Sequence, residues 1–211
     1  MLVDGRSVGA VESYTFKNVS ANHTIEAVFA EGEADDLSFV DVPRGSYYED
    51  AVRWAVESGI TAGTDRFHFS PNDACTRAQA VTFLWRAAGS PAPESQTMPF
   101  TDVPAGCYYY DAVLWAVENG ITAGTSDTTF SPNANCSRAQ IVTFLWRLLE
   151  SPVAATQNPF NDVYAADYFE NAVLWAVEEN VTAGTTNVTF SPNENCTRAQ
   201  IVTFIWRVFA E

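Results

Sequence analysis

The sequence carries one pattern three times, at intervals of 61 and 60 residues. Each copy opens with Phe-x-Asp-Val, has a Trp 15 residues later and closes on Trp-Arg. The copies start at Phe39, Phe100 and Phe160, and they align without gaps because the one-residue difference lies in the segments between them. A unit of this length cannot bury its own apolar surface, so neighbouring units must pack together. The sequence therefore predicts three similar units, arranged most simply about a pseudo-threefold axis.

Each copy has the pattern of two helices joined by a loop. In the first copy, residues 47–58 have a broad apolar face and predict the first helix. We expect this helix to stop at a residue that tolerates the left-handed conformation. In the three copies that residue is Gly59, Gly120 and Asn180.

The second helix of each copy begins with a capping box, in which a hydroxyl residue precedes a Gln by three positions. The pairs are Thr76 with Gln79, Ser137 with Gln140, and Thr197 with Gln200. The run that follows is apolar nearly all round, which predicts burial against several neighbours. We therefore predict an all-α fold of three helix-loop-helix repeats.

The first 31 residues differ in kind from the repeats. Apolar and polar residues alternate in 13–16 and 24–29, which predicts two short strands. Two strands alone are only marginally stable, so we interpret this hairpin as the truncated remnant of a β-module. The predicted order is residues 1–31 as this remnant, 32–38 as an acidic linker, and repeats at 39–89, 100–149 and 160–211.

Charge and composition narrow the range of partners. Eleven Lys and Arg against 26 Asp and Glu give a net charge of −15, which argues against nucleic acid. The 47% of apolar residues are enough for a core, but no stretch approaches the roughly 20 apolar residues that span a bilayer, so we expect no membrane insertion. The N-terminus lacks the basic start and apolar run of a secretion signal, so the signal of an exported protein would lie outside this chain.

Three cysteines occupy one position of the repeat, directly before the second helix: Cys75, Cys136 and Cys196. There each can pack on the fourth residue of the helix, because a free cysteine behaves as a small buried hydrophobe. The alternative is a metal site, which needs the three thiolates to meet at one ion. The chain has no Cys-x-x-Cys pair, so we favour packing and predict no metal and no cofactor. Cys107 has no counterpart in the other copies, and its role is left open.

The repeated motifs together resemble a known family. Phe-x-Asp-Val, Ala-Val-x-Trp-Ala-Val-Glu, Phe-Ser-Pro-Asn and Thr/Ser-Arg-Ala-Gln recur between residues 39 and 209 and resemble the surface-layer homology (SLH) domain of bacterial cell-envelope proteins. The resemblance implies a three-pronged helical spindle that anchors exported proteins, without a covalent bond, to a secondary cell-wall polysaccharide linked to peptidoglycan. It implies a pyruvate-ketal sugar as ligand, held in grooves between repeats. Residues 1–31 resemble the end of an internalin-type β-repeat.

One departure from the family pattern affects every copy. The family motif Thr-Arg-Ala-Glu is Thr/Ser-Arg-Ala-Gln in this chain. The Gln keeps the capping function but removes a carboxylate from each repeat.

The first-turn arginines of the second helices are the leading candidates for ligand binding: Arg77, Arg138 and Arg198. The helix dipole favours an anion at this position, whereas the arginines at the far end of the same helices complement the dipole. A first-turn guanidinium beside free N-terminal amides would form a carboxylate site, and a pyruvyl ketal supplies such a carboxylate. The alternative is a structural ion pair with the aspartates of the repeat, and both roles can coexist if the aspartate orients the arginine. Those aspartates are Asp41, Asp102 and Asp162.

Two more repeated residue types are candidates for ligand contact. A glycine would let a sugar approach the backbone closely, although a turn that requires positive φ explains it equally well. The threonine after it offers a hydroxyl group. The residues are Gly63, Gly124 and Gly184, followed by Thr64, Thr125 and Thr185.

We therefore predict a non-catalytic, carbohydrate-binding anchor that lies outside the cell, on the cell wall. One alternative is part of a glycan hydrolase, which would need two carboxylates about 5 to 10 Å apart in one cleft. The other is an assembly module that self-associates in a surface layer without binding glycan.

Overall fold

The computed structural model describes residues 1–9, 11, 13–26 and 39–210. The chain forms two compact units, Met1–Leu37 and Ser38–Glu211. The predicted acidic linker at 32–38 and the end of the second predicted strand, from residue 27 on, lie outside the described residues.

The N-terminal unit contains a small antiparallel sheet of strands β1 (Leu2–Val3), β2 (Arg6–Ser7) and β3 (Ile25–Glu26), in the order β2-β1-β3. The prediction of a strand at 13–16 is wrong, because these residues form no strand. The hairpin instead turns at Asp4 and Gly5, whose φ angles of 49° and 75° fit the tight two-residue turn that an Asp-Gly pair favours. The Asp4 carboxylate also accepts the backbone N–H of Thr24, which holds β3 against β1.

Within residues 39–210 the second unit contains six helices, two in each repeat, as predicted. They are α1 (Glu49–Glu57), α2 (Arg77–Ala87), α3 (Tyr110–Glu118), α4 (Arg138–Leu148), α5 (Glu170–Glu178) and α6 (Arg198–Phe209). The first helix of each repeat ends before a residue in the left-handed conformation: Gly59 at φ 70°, Gly120 at 66° and Asn180 at 58°. The predicted stop signals are confirmed.

The predicted capping boxes are also present at all three second helices. In the first repeat the Thr76 hydroxyl accepts the Gln79 amide at 3.3 Å, and the Gln79 side-chain oxygen accepts the Thr76 amide at 3.0 Å. Each second helix therefore starts at a position that its own local sequence fixes.

The helices pack in a closed ring. The first helix of each repeat lies on the second helix of the preceding repeat, so α3 packs on α2, α5 on α4 and α1 on α6. The three second helices also contact one another. The phenylalanines of the Phe-Ser-Pro-Asn motifs are fully buried in this core: Phe69, Phe130 and Phe190. The pseudo-threefold arrangement of three packed repeats follows from these contacts.

The three repeated cysteines link the repeats through their backbones. The amide of Cys75 donates to the carbonyl of Cys196 at 2.9 Å, that of Cys136 to Cys75 at 2.8 Å, and that of Cys196 to Cys136 at 2.9 Å. All three cysteines are fully buried. Burial raises the pKa of the Cys75 and Cys196 thiols to about 12 and that of Cys136 well above its usual value.

This burial predicts the reactivity of the four thiols. At pH 8 we expect the three repeated cysteines of the folded protein to react with a disulfide reagent at least about a hundredfold more slowly than an exposed thiol, because the reactive thiolate is scarce and covered. Half-exposed Cys107 should react first. A spectrophotometric thiol titration should count one fast group in the native protein, none in Cys107→Ser and four in wild-type protein unfolded in guanidinium. Fast reaction of all four in the native state would contradict the burial.

Candidate functional site

A groove on the second unit is built by all three repeats. Its floor carries Arg77 of the first repeat, its walls are the loop 122–125 and helix α4 of the second, and Tyr168 of the third repeat closes it. The groove encloses a cavity of about 380 Å³. We call it the Arg77 groove.

Equivalent residues surround the other two arginines, and by this pseudo-symmetry we call their surroundings the Arg138 groove and the Arg198 groove. In the Arg138 groove, Arg138 contacts Ala183 and Phe204 of the third repeat, and Tyr47 of the first repeat lies near Arg207. In the Arg198 groove, Arg198 contacts Phe69 and Phe83 of the first repeat, and Tyr108 of the second lies near Arg86. No single repeat can therefore form a groove.

The three first-turn arginines lie deep in these grooves. Arg77 is 3% exposed, and its Nε donates to the Phe130 carbonyl at 2.9 Å. Its guanidinium lies 4.7 Å from the ring of Phe130 and 5.5 Å from that of Phe144. Arg138 and Arg198 make the same contacts with their own pair of phenylalanines. Burial lowers the pKa of all three guanidinium groups, although nearby Cys and Asp side chains oppose this shift.

The three arginines differ at one atom. Nη2 of Arg138 donates to the Ala183 carbonyl at 2.8 Å. Nη2 of Arg77 and Nη2 of Arg198 are buried without a hydrogen-bond partner. A guanidinium therefore retains an unused donor in two of the three grooves.

The prediction that free helix amides accompany these arginines is wrong. The amide of Arg77 donates to the Ala134 carbonyl at 2.8 Å, and the amide of Ala78 donates to Pro132 at 3.1 Å. The third amide of the helix, that of Gln79, is taken by the capping hydroxyl. The other two second helices bond the following repeat in the same way. Close packing of the repeats around the axis thus uses the donors that were expected to face a ligand.

The alternative prediction of an arginine–aspartate ion pair is not met either. The two carboxylate oxygens of Asp102 accept the amides of Phe130 and Ser131 at 2.8 and 2.7 Å, and Ser131 takes a positive φ of 59°. Asp41 and Asp162 bind their own loops in the same manner. Within the described residues no ion pair joins these aspartates to the arginines. The aspartates act indirectly, because each fixes the loop whose Phe carbonyl holds the arginine.

The glycine and threonine of the second repeat lie on the wall of the Arg77 groove. Gly124 has φ 84°, and a Cβ there would come within 2.5 Å of Cε1 of Phe100 and of the Thr129 carbonyl. Tight packing within the repeat therefore already requires a glycine at this position. Thr125 is exposed and its hydroxyl lies 2.7 Å from that of Ser131. Gly63, Gly184, Thr64 and Thr185 have the same surroundings in their repeats.

Seven of the ten residues that line the groove were not predicted as site residues, and Arg147 and Tyr168 are the two of these with a charged or phenolic side chain. Arg147, at the end of α4, lines the cavity while its Nη1 donates to the Ile121 carbonyl at 3.2 Å. Tyr168 lines it too, although its side chain is 60% exposed. At the end of a helix an arginine is expected because it complements the helix dipole, so this position gave no reason to place Arg147 in a groove. The usable signal was a tyrosine at the same position of every repeat, as Tyr47, Tyr108 and Tyr168.

The Arg77 groove is positive on a strongly acidic protein. Two arginines and no Asp or Glu line the cavity, whereas the whole chain has a charge of −15. Gln140 lines it at the position where the family motif has Glu. An anion that enters this groove meets attraction that the rest of the surface does not offer.

Neither a metal centre nor a membrane span was found in the part of the chain that the structure describes. No three His, Cys, Asp or Glu side chains are grouped there so that they could hold a metal ion. None of the described helices has the length and apolar character needed to cross a bilayer.

Comparisons with known proteins agree with the repeat pattern. The family model of the S-layer homology domain matches residues 38–81, 99–142 and 159–202. The "Surface-layer 125 kDa protein" of Lysinibacillus sphaericus is 33% identical over 72% of the chain, and an "S-layer protein" of Bacillus thuringiensis subsp. finitimus is 27% identical over 86%. An "Endoglucanase" of Bacillus sp. (strain KSM-635) is 32% identical over 58%.

The matched regions cover only 13%, 22% and 13% of these three relatives, so the chain corresponds to a small part of each. Each matched segment contains the first helix of its repeat and the start of the second helix. The chain therefore belongs to the S-layer homology domain family, with three tandem copies of a domain found at the bacterial cell surface and cell wall.

Proposed function

We propose that residues 39–210 attach an exported protein to the cell wall by binding a pyruvylated polysaccharide in the grooves between repeats. The observation that carries the proposal is the lining of the Arg77 groove, which contains two arginines and a tyrosine but no acid. Its volume of about 380 Å³ falls within the range of roughly 300 to 1,000 Å³ typical of ligand sites.

The groove residues suit a carboxylate on a sugar. Arg147 on the wall provides the more accessible guanidinium, and Arg77 on the floor adds a second positive charge. A guanidinium fork binds a carboxylate through two parallel hydrogen bonds. The exposed ring of Tyr168 offers an apolar face beside them, and the Thr125 hydroxyl can bond sugar hydroxyls. Because the protein and the polymer are both acidic, the attraction is confined to the groove, and binding should weaken as salt screens it.

Wall binding should depend on the ketal and on the wall arginines. We expect the triple variant Arg86→Ala, Arg147→Ala, Arg207→Ala to bind purified sacculi at least about tenfold more weakly, because each change removes a charge-assisted hydrogen bond worth about 1.5 to 3 kcal/mol. Sacculi from which the pyruvyl groups have been removed should bind wild-type protein equally weakly. Co-sedimentation measures both effects.

A matched control is Arg6→Ala, because Arg6 is exposed and belongs to the N-terminal unit, outside residues 39–210. It should bind as tightly as wild type. Circular dichroism must show that the triple variant keeps its helices. Full binding to depyruvylated sacculi would refute the ketal as ligand.

The same preparations separate this proposal from the two alternatives. We propose that the chain has no catalytic activity, and the acid-free Arg77 groove supports this because glycoside hydrolysis generally uses a pair of carboxylates. Release of soluble sugar from sacculi would show the opposite. Since two relatives are surface-layer proteins, self-association is the other possibility, and ultracentrifugation without any glycan would detect it.

We also propose that residues 1–31 are the end of an internalin-type β-repeat. The small antiparallel sheet with its Asp4-Gly5 hairpin supports a β-module in this unit. A protein extended at its N-terminus should show a higher melting temperature for this unit than the present chain does.

A further inference from the structure

We propose that the three grooves are not equivalent, and that the Arg77 and Arg198 grooves bind the carboxylate while the Arg138 groove does not. The inference rests on the proposed function and assigns its ligand to particular grooves. It follows from differences among three sites that the sequence repeats almost unchanged.

The first difference is the unused donor. Arg77 and Arg198 are 3% and 4% exposed, and Nη2 of each is buried without a partner. A buried donor without a partner destabilises the folded protein, so an acceptor that reaches it is strongly favoured. Arg77 lines the cavity, where a bound carboxylate would supply the missing acceptor. Nη2 of Arg138 requires no further acceptor, because it already donates to the Ala183 carbonyl at 2.8 Å.

The second difference is the position of the tyrosine. Tyr168 interacts electrostatically with both arginines of its groove, Arg77 and Arg147. Tyr108 does the same with Arg86 and Arg198.

In the Arg138 groove, Tyr47 lies near Thr197 and Arg207. Arg138 is not among the groups that act on Tyr47, whereas each of the other two tyrosines lies near both arginines of its groove. Tyr47 and Arg138 are therefore less well placed to contact one ligand together.

The third difference is the charge of one residue that adjoins each arginine. Its backbone carbonyl accepts the amide of the arginine, and it is the fourth residue after the buried Phe of the following repeat. This residue is Glu194 at Arg138, Asp73 at Arg198 and Ala134 at Arg77. Burial lowers the pKa of Arg138 and Arg198, whereas the negative charge of Glu194 raises the pKa of Arg138 and that of Asp73 raises the pKa of Arg198. An adjacent carboxylate reduces the attraction for an anionic guest. The expected order of affinity is therefore the Arg77 groove first and the Arg198 groove second.

The three tyrosines provide a matched test, because Tyr47, Tyr108 and Tyr168 are 62%, 60% and 60% exposed and their loss should leave the fold intact. The probe is a methyl glycoside that carries a 4,6-pyruvate ketal, titrated calorimetrically into protein at a concentration above the Kd. Wild type should bind two equivalents. Tyr168→Ala and Tyr108→Ala should each reduce the stoichiometry from two to one, and Tyr47→Ala should leave it at two.

The outcomes distinguish this inference from the function on which it rests. Three equivalents, or the loss of one in Tyr47→Ala, would overturn the inequivalence and leave the proposed function standing. If the wild type binds none of the ketal, the pyruvylated ligand fails and the assignment of grooves fails with it. A matched glycoside without the ketal serves as the control and should not bind.

Discussion

Replacing the three buried arginines together, as Arg77→Ala, Arg138→Ala and Arg198→Ala, is expected to abolish the cooperative unfolding transition of the repeats. Each change removes a guanidinium held between two phenylalanine rings and leaves a carbonyl without its donor. Cavity formation and the lost bond cost roughly 3 kcal/mol per site. The cost of the three changes together is comparable to the free energy of unfolding of most domains, which is about 5 to 15 kcal/mol.

Differential scanning calorimetry and far-ultraviolet circular dichroism measure this result. Arg66→Ala, an exposed arginine, should melt as wild type does. A triple variant with the wild-type melting temperature would show that these side chains contribute little to the fold. Because the expected variant is unfolded, its failure to bind the wall would not locate the ligand. The half-buried or exposed arginines at the helix ends and the exposed tyrosines are therefore the better probes of binding.

Removing the third repeat is expected to unfold the first two and to abolish wall binding completely. A chain that ends before residue 153 lacks α6, on which α1 packs, and α5, which packs on α4. It also lacks the carbonyl of Cys196, which accepts the amide of Cys75. Every groove loses a member, because Tyr168 belongs to the Arg77 groove and Arg198 and Arg207 to the other two.

A permuted chain is the matched control for this deletion. It places the third repeat before the first and joins them with a copy of residues 90–99. All three repeats are then present, and α6 can still pack on α1, so we expect native helix content and binding to sacculi. A two-repeat chain that melts cooperatively and binds sacculi would contradict a ring in which each groove needs three repeats.

Local residue patterns predicted the helical part of this protein well and the sheet poorly. The capping pairs, such as Thr76 with Gln79, and the stops at Gly59 and Asn180 act within one or two turns, so their effect is the same in any surroundings. The predicted strand at 13–16 is wrong because the alternating pattern there is short, and the hairpin forms instead across the Asp4-Gly5 turn. A two-residue turn with positive φ selects the hairpin more strongly than a short alternating run does.

The sequence alone therefore specified the three repeats, their helices and the family to which they belong, since each of these depends on residues close together in the chain. The environment of the arginines could not be inferred in this way. Arg77 is held by Phe130, 53 residues away, and its helix amides are taken by carbonyls of the next repeat. Only the closing of the ring shows that Arg77, Arg147 and Tyr168 of three different repeats share one groove. It also shows that Nη2 of Arg138 has an acceptor while the same atoms of Arg77 and Arg198 do not, because such contacts arise from packing between distant segments.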